Sequence, residues 1–184
     1  MKKYLLLFAM MLMGLCACEK ENGSDTSGNL EGSWDAYKGE LLFDGKTIER
    51  IDASMPHSGI ETRLTFSDGH VTIEDEDGTE YYPYTYANKT ITLTAYFIPI
   101  QMKVKKLTSS ELHLEIPTVS YDPELDGEVV AKFNGRTIYG SSNFFMDRYW
   151  YMVGSKVVPC IPVDDEDYSE GWYDTVLLYL KRSK

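Results

Sequence analysis

The feature that most constrains this chain is an alternation of apolar and polar residues, cut at short intervals by turn-forming dipeptides. Asp44-Gly45, Asp68-Gly69 and Asn134-Gly135 each stand between two alternating runs. Asp-Gly and Asn-Gly tolerate the positive φ that both central positions of a tight hairpin turn require, and that turn has the twist of the strands it joins. Leu41-Leu42-Phe43 leads through the first turn to Thr47-Ile48, Leu64 and Phe66 through the second to Val71 and Ile73, and Val129 to Phe133 through the third to Arg136 to Tyr139. A period of two places every second side chain on one face of a sheet, a spacing that no helix face can use.

The same grammar continues along the chain. Glu76-Asp77-Gly78 turns into Tyr82, Tyr84 and Tyr86; Ala87-Asn88-Lys89 precedes Ile91 and Leu93; Thr108-Ser109-Ser110 separates Ile98, Ile100, Met102 and Val104 from Leu112, Leu114 and Ile116. A last run covers Thr175 to Leu180. Roughly eight to ten strands result. Short connections imply antiparallel pairing, because parallel strands need long crossovers. A sheet of that width protects its edges by curling shut or by splitting into two layers. The expected fold is therefore all-β, an antiparallel up-and-down meander closing as a barrel, with a two-sheet β-sandwich as the alternative. Phe144 to Val153 fits either a helix capped by Ser142 and stopped by Gly154 or a hairpin into Lys156-Val157-Val158, and its aromatic run favours the hairpin. Ile51 to Gly59, Val119 to Glu128 and the acidic stretch Asp164 to Glu170 read as loops.

The N-terminus carries an address. Met1-Lys2-Lys3-Tyr4 precedes an apolar run from Leu5 to Leu15. A basic start followed by a short apolar run is a secretory signal peptide, too short to span a bilayer and without the polar face of a core helix. Its end, Leu15-Cys16-Ala17-Cys18, resembles the bacterial lipobox. That resemblance implies that residues 1–17 are removed, that the Cys18 thiol carries a diacylglyceryl group, and that the new amino terminus is acylated. Cys16 fits less well, since Met13-Gly14-Leu15 puts bulky residues where small ones are wanted. Residues 18–29 hold the modified cysteine and a tether, Glu19 to Asn29, without any large apolar residue. Residues 30–184 form the folded body. Glu19-Lys20-Glu21 is similar to charged tails that accompany surface export in Bacteroidetes lipoproteins, which implies the outer membrane, at its periplasmic face or the cell surface.

Charge and cysteine usage narrow the partners. Eighteen Lys and Arg against 29 Asp and Glu give a net charge of −11. Such a body argues against nucleic acid and is repelled by anionic lipid, leaving the anchor to hold it at the membrane. With Cys16 discarded and Cys18 modified, Cys160 has no partner for an internal disulfide, and its setting, Val157-Val158-Pro159-Cys160-Ile161, is that of a buried small hydrophobe.

The order of elements suggests a family. Glu31-Gly32-Ser33-Trp34 resembles the Gly-x-Trp opening of lipocalin-like (calycin-type) barrels. Phe66-Ser67-Asp68-Gly69 and Leu107-Thr108-Ser109-Ser110-Glu111-Leu112-His113-Leu114 resemble turns of lipocalin-like lipoproteins of Bacteroidetes. The likeness runs from Leu30 to Ile116, while residues 119–170 depart from the compact pattern. It implies a lipocalin-like barrel, carriage of a small ligand, and a Trp34 packed at the closed end against a late basic residue, Lys181 or Arg182, as a cation over the ring.

An eight-stranded barrel holds either its own side chains or one small ligand. Tyr82, Tyr84 and Tyr86 share a face and, with Met102, are the candidate ligand-binding residues; Tyr96, Tyr149 and Tyr151 add further rings. Tyrosine joins an apolar ring to a polar tip, which suits an aromatic or amphipathic ligand, though the same rings could simply be core. Glu74-Asp75-Glu76-Asp77 and Asp164-Asp165-Glu166-Asp167 lack the spacing of a calcium loop and read as solvated turns. His57, His70 and His113 share no ligand spacing, and neither a Gly-x-Ser-x-Gly elbow nor a phosphate-cradling glycine loop occurs. The expectation is a binding protein with no catalytic residue, metal or cofactor. The other reading is a filled barrel that serves as an interaction module of an envelope complex, presenting an aromatic patch around Tyr149-Trp150-Tyr151.

Overall fold

A computed structural model describes residues 28–52, 62–75, 78–95, 98–118, 127–142, 147–163 and 170–184. Cys18 and the remainder of residues 1–27, Tyr96, His57 and the run Asp164–Asp167 lie outside the described residues, as does most of each segment read as a loop. Among the described residues every regular element is a strand. In chain order these are β1 (Gly32–Phe43), β2 (Lys46–Asp52), β3 (Arg63–Ser67), β4 (His70–Asp75), β5 (Gly78–Ala87), β6 (Thr90–Ala95), β7 (Ile98–Leu107), β8 (Glu111–Pro117), β9 (Glu128–Phe133), β10 (Arg136–Ser142), β11 (Asp147–Val153), β12 (Lys156–Pro162), β13 (Trp172–Tyr173) and β14 (Thr175–Arg182).

Eight of them, β1, β3, β4, β5, β6, β7, β8 and β14, pair in that order, and β14 returns to β1 to close an antiparallel barrel. The meander expected from the turns is thus present from β3 to β8, and the β1–β14 ladder decides for a barrel over an open sandwich. That ladder runs from Trp34 opposite Arg182 to Leu42 opposite Thr175, with a bulge between Ala36 and Lys38. The other edge of β1 is shared: its start pairs with β3, from Gly32 opposite Phe66, and its end with β2. Asp44-Gly45, Asp68-Gly69 and Asn134-Gly135 have positive φ at both central residues, as their sequences lead one to expect, and so does Asn88-Lys89 between β5 and β6.

Strands between Glu128 and Tyr173 supply a second, five-stranded sheet in the order β13-β12-β11-β10-β9. The hairpin reading of the aromatic run holds, since β11 pairs with β12 from Val153 opposite Lys156 to Tyr149 opposite Cys160.

Two apolar clusters follow this division. One fills the barrel and includes Trp34, Leu64, Phe66, Val71, Ile91, Leu93, Met102, Val104, Leu112, Leu114, Leu178 and Leu180. The other joins the tip of β1 to the second sheet through Phe43, Ile138, Tyr151, Cys160 and Trp172. Cys160 is a buried thiol, as its setting implied, and that burial pushes its pKa up.

At the end of the barrel where β1 begins and β14 finishes, Trp34 is completely buried and its Nε1–H donates to Leu30 O at 2.8 Å. The Arg182 guanidinium lies 3.9 Å over the indole centroid. It also donates to Glu31 O and, at 2.6 Å, to Asn29 O. Of the two candidate cations it is therefore Arg182 that covers Trp34; Lys181 points to the other side of the strand and sits 4.2 Å over Tyr37. Gly32 is at φ +112, and a Cβ there would run into the same guanidinium. Gly32→Ala is expected to cost roughly 2–4 kcal/mol in urea unfolding, from backbone strain plus displacement of Arg182. In an Arg182→Ala background the loss should be distinctly smaller, because the clash is gone. Fully additive losses would show that the two residues do not meet.

Candidate functional site

The two ends of the barrel differ in how they are filled. Near Trp34 the interior is solid: Trp34, Phe66, Ile91 and Leu112 are all fully buried. At the opposite end lie the last turns of β4 and β8 and the first of β7. There Ile73, Ile100 and Ile116 pack against the core but are only partly buried. Each is inward-facing by register, Ile73 opposite Leu64, Ile100 opposite Leu93 and Ile116 opposite Val176. Together they form an apolar rim around a floor that includes Leu93, Met102 and Leu114.

The four sequence candidates distribute over this frame unevenly. Tyr82, opposite Val71, is half-buried against the core. Met102, opposite Ile91, is only 5% exposed and belongs to the core itself. Tyr84 packs edge-on against Phe66, with ring centroids 5.1 Å apart, and its hydroxyl donates to Glu31 Oε1 at 3.3 Å, beside the Trp34 end. Burial, then the Glu31 carboxylate, raise the Tyr84 pKa. Tyr86 adjoins the β5–β6 turn and is 39% exposed. The row is therefore on one face, as its spacing implied, yet Tyr82 and Tyr84 are partly buried against the core while Tyr86, next to the β5–β6 turn, reaches solvent. The partly buried isoleucines were missed in the sequence, since period two gives the face of a residue but not its depth.

Where the second sheet meets the barrel, Asp174, 7% exposed, collects donors from separate elements. Its Oδ2 accepts from the Asp44 backbone N–H at 2.6 Å and from the Tyr151 hydroxyl at 2.7 Å, and its Oδ1 from the Thr175 hydroxyl at 2.7 Å. The Asp44 carboxylate in turn accepts from Arg136 at 2.9 Å. Burial first, then the bond to Asp174, push the Tyr151 pKa up. The Thr118 hydroxyl, on the crossover after β8, donates to Pro159 O at 2.7 Å. These bonds fix β11 and β12 beside the rim.

The aromatic run on β11 is not an exposed patch. Trp150 and Tyr151 are 3% and 2% exposed. Tyr151 packs on Phe43, centroids 4.6 Å apart, while Trp150 stacks on Tyr139 and leaves no room for a Cβ at Gly127. Both faces of this central strand are covered, so adjacent residues are buried on opposite sides. Among the described residues, no group of three or more His, Cys, Asp or Glu side chains is placed to hold a metal ion. Comparison of the chain with protein-family models, curated proteins and solved structures finds no match.

Asp174→Ala is expected to lower stability by about 2–4 kcal/mol, because it orphans the Asp44 amide and the Tyr151 hydroxyl together. Asp174→Asn, which keeps one acceptor oxygen, should cost about half as much. Urea unfolding followed by tryptophan fluorescence reads both; equal losses would show that no particular donor depends on this carboxylate.

Proposed function

We propose that this is a lipid-anchored protein of the cell envelope, held at the outer membrane by Cys18, whose lipocalin-like barrel binds a small apolar or aromatic molecule. The observation that carries the binding half is the rim of Ile73, Ile100 and Ile116, aliphatic side chains that pack against the core yet stay only partly buried. A ligand seated there would cover that surface and gain the hydrophobic free energy the protein itself leaves unused. Tyr82 supplies an aromatic wall and Met102 an adaptable floor. Tyr84 and Tyr86, nearer the Trp34 end, contribute by shaping the wall strand. The rest of the interior is core, and the role is binding, with no catalysis, metal or cofactor. The anchor half rests on the lipobox resemblance at Leu15-Cys16-Ala17-Cys18.

A second reading, an interaction module with a filled barrel, draws on β9. This strand ends the second sheet and leaves Val129 and Val130 59% and 41% exposed. Such an edge can accept another strand.

One pair of experiments separates these claims. Cys18→Ala should move the protein from the membrane fraction to the soluble fraction; unchanged membrane association ends the anchor reading. With a fluorescent apolar probe, Ile116→Trp should reduce binding roughly tenfold by filling the rim, at little cost in stability because the side chain already reaches solvent. Binding unaffected by Ile116→Trp and by Tyr82→Ala would move the ligand elsewhere or remove it.

A further inference from the structure

A chain of net charge −11 should be pushed away from anionic lipid as a whole. One outer face of the barrel breaks that average. Lys103 and Lys105 on β7 both reach Glu115 on β8, each at 3.0 Å. Lys106 pairs with Glu111, and Lys181 on β14 lies opposite that same glutamate. On β1, Lys38 holds Glu40 at 2.6 Å while Arg50 approaches it at 3.6 Å. Glu115 and Glu111 are thus each flanked by two cations. The strip ends in balanced charge on the side of β2 and β3, where Asp35 binds Arg63 at 2.6 Å and the carboxylates of Glu40 and Asp52 face Lys38 and Arg50.

Height adds to the imbalance. The Lys103 and Lys105 side chains are 65% and 56% exposed against 24% for Glu115, and Arg50 is 71% exposed against 11% for Glu40. Glu115 and Glu40 lie low on the sheet with their cations standing over them, while Lys106 and Glu111 are nearly level at 37% and 32%, so an approaching surface meets positive charge first above Glu115. The nearby rings are already covered: Lys181 sits 4.2 Å over Tyr37 and Lys38 4.6 Å over Tyr179. That arrangement disfavours stacking on sugar rings and leaves charge as the means of recognition.

The chain enters the fold beside this strip. Gly28 N–H donates to Leu107 O at 3.1 Å, at the end of β7, and Arg182 at the end of β14 binds Asn29 O. Residues 19–27 separate Gly28 from Cys18, a reach of at most about 35 Å. A lipid at Cys18 therefore keeps these lysines within reach of headgroups.

We infer that the outer face of β7, β8 and β14, with Lys103, Lys105, Lys106 and Lys181 at its centre, lies against an anionic bilayer surface and turns the anchored barrel onto its side. This rests on the lipid-anchor reading of Cys18. The face recruits lipid phosphates, and the acidic remainder of the body points away from them.

The test uses the full-length protein, processed and purified from a bacterial host, and mixed with vesicles of phosphatidylcholine alone or with added phosphatidylglycerol. Flotation with the neutral vesicles reads the anchor. Lysine acetylation followed by peptide mass spectrometry reads the face. Lys103, Lys105, Lys106 and Lys181 should react several-fold more slowly on anionic than on neutral vesicles, with Lys132 and Lys156 unchanged. High salt or the double variant Lys103→Glu/Lys105→Glu should erase the difference while flotation on neutral vesicles persists. Equal reactivity on the two vesicle types overturns the inference, even if the protein floats. Protection on anionic vesicles without flotation on neutral ones supports the face and refutes the anchor. Equal protection by a soluble sulfated polysaccharide without vesicles would make a polyanionic glycan the occupant and overturn the membrane assignment.

Discussion

Closure of the barrel depends on the contact between Arg182 and Trp34. A sheet of this width has two edges to hide, and here the first and last barrel strands hide them in each other. The register that achieves this is pinned where Arg182 covers the buried indole and binds the carbonyls of Asn29 and Glu31. A one-residue slip would send the guanidinium to the outer face and bring Lys181 inward. Gly32 belongs to the same device, because only a residue without Cβ leaves space for that guanidinium. Asn29 to Glu31 are tied down by the contact as well, so the start of the described chain is held by the same residues that close the barrel.

From that plugged end the interior changes character along the barrel. Solid aliphatic and aromatic packing around Trp34 gives way to the half-covered isoleucines at the far rim. The second sheet is clamped beside that rim through Asp174, whose carboxylate unites the β1–β2 turn, β11 and the start of β14. Burial is therefore uneven along the barrel, complete around Trp34 and partial at Ile73, Ile100 and Ile116. The outer surface is uneven too, with raised cations on β7 and β14 flanking the carboxylates of β8.

Much of the fold was legible because hairpins are local. Asp44-Gly45, Asp68-Gly69 and Asn134-Gly135 announce turns with positive φ at both central residues, and each one occurs. Trp34 and a late cation were legible as a resemblance, and strand parity then selects Arg182. The second sheet was harder to read. Alternation in residues 128–162 shows that these strands have a buried face, yet it does not say which sheet covers it. Trp150 and Tyr151 illustrate the limit: a central strand covered on both sides loses the alternation that would have revealed it, so its aromatics pass for a surface patch. Depth was lost for a related reason. Tyr82, Tyr84 and Tyr86 share a face, but Tyr86, next to the turn, reaches solvent while the other two pack against the core. Ile73, Ile100 and Ile116 look in sequence like any other core residue.

The most direct test of the central claim, a barrel plugged at the Trp34 end and loaded at the other, is native mass spectrometry of the protein purified gently from its own host envelope. The account predicts extra mass that leaves on denaturation, above a covalent lipid increment that stays. A population carrying the lipid increment alone, in preparations where an added apolar probe also fails to bind, would contradict it.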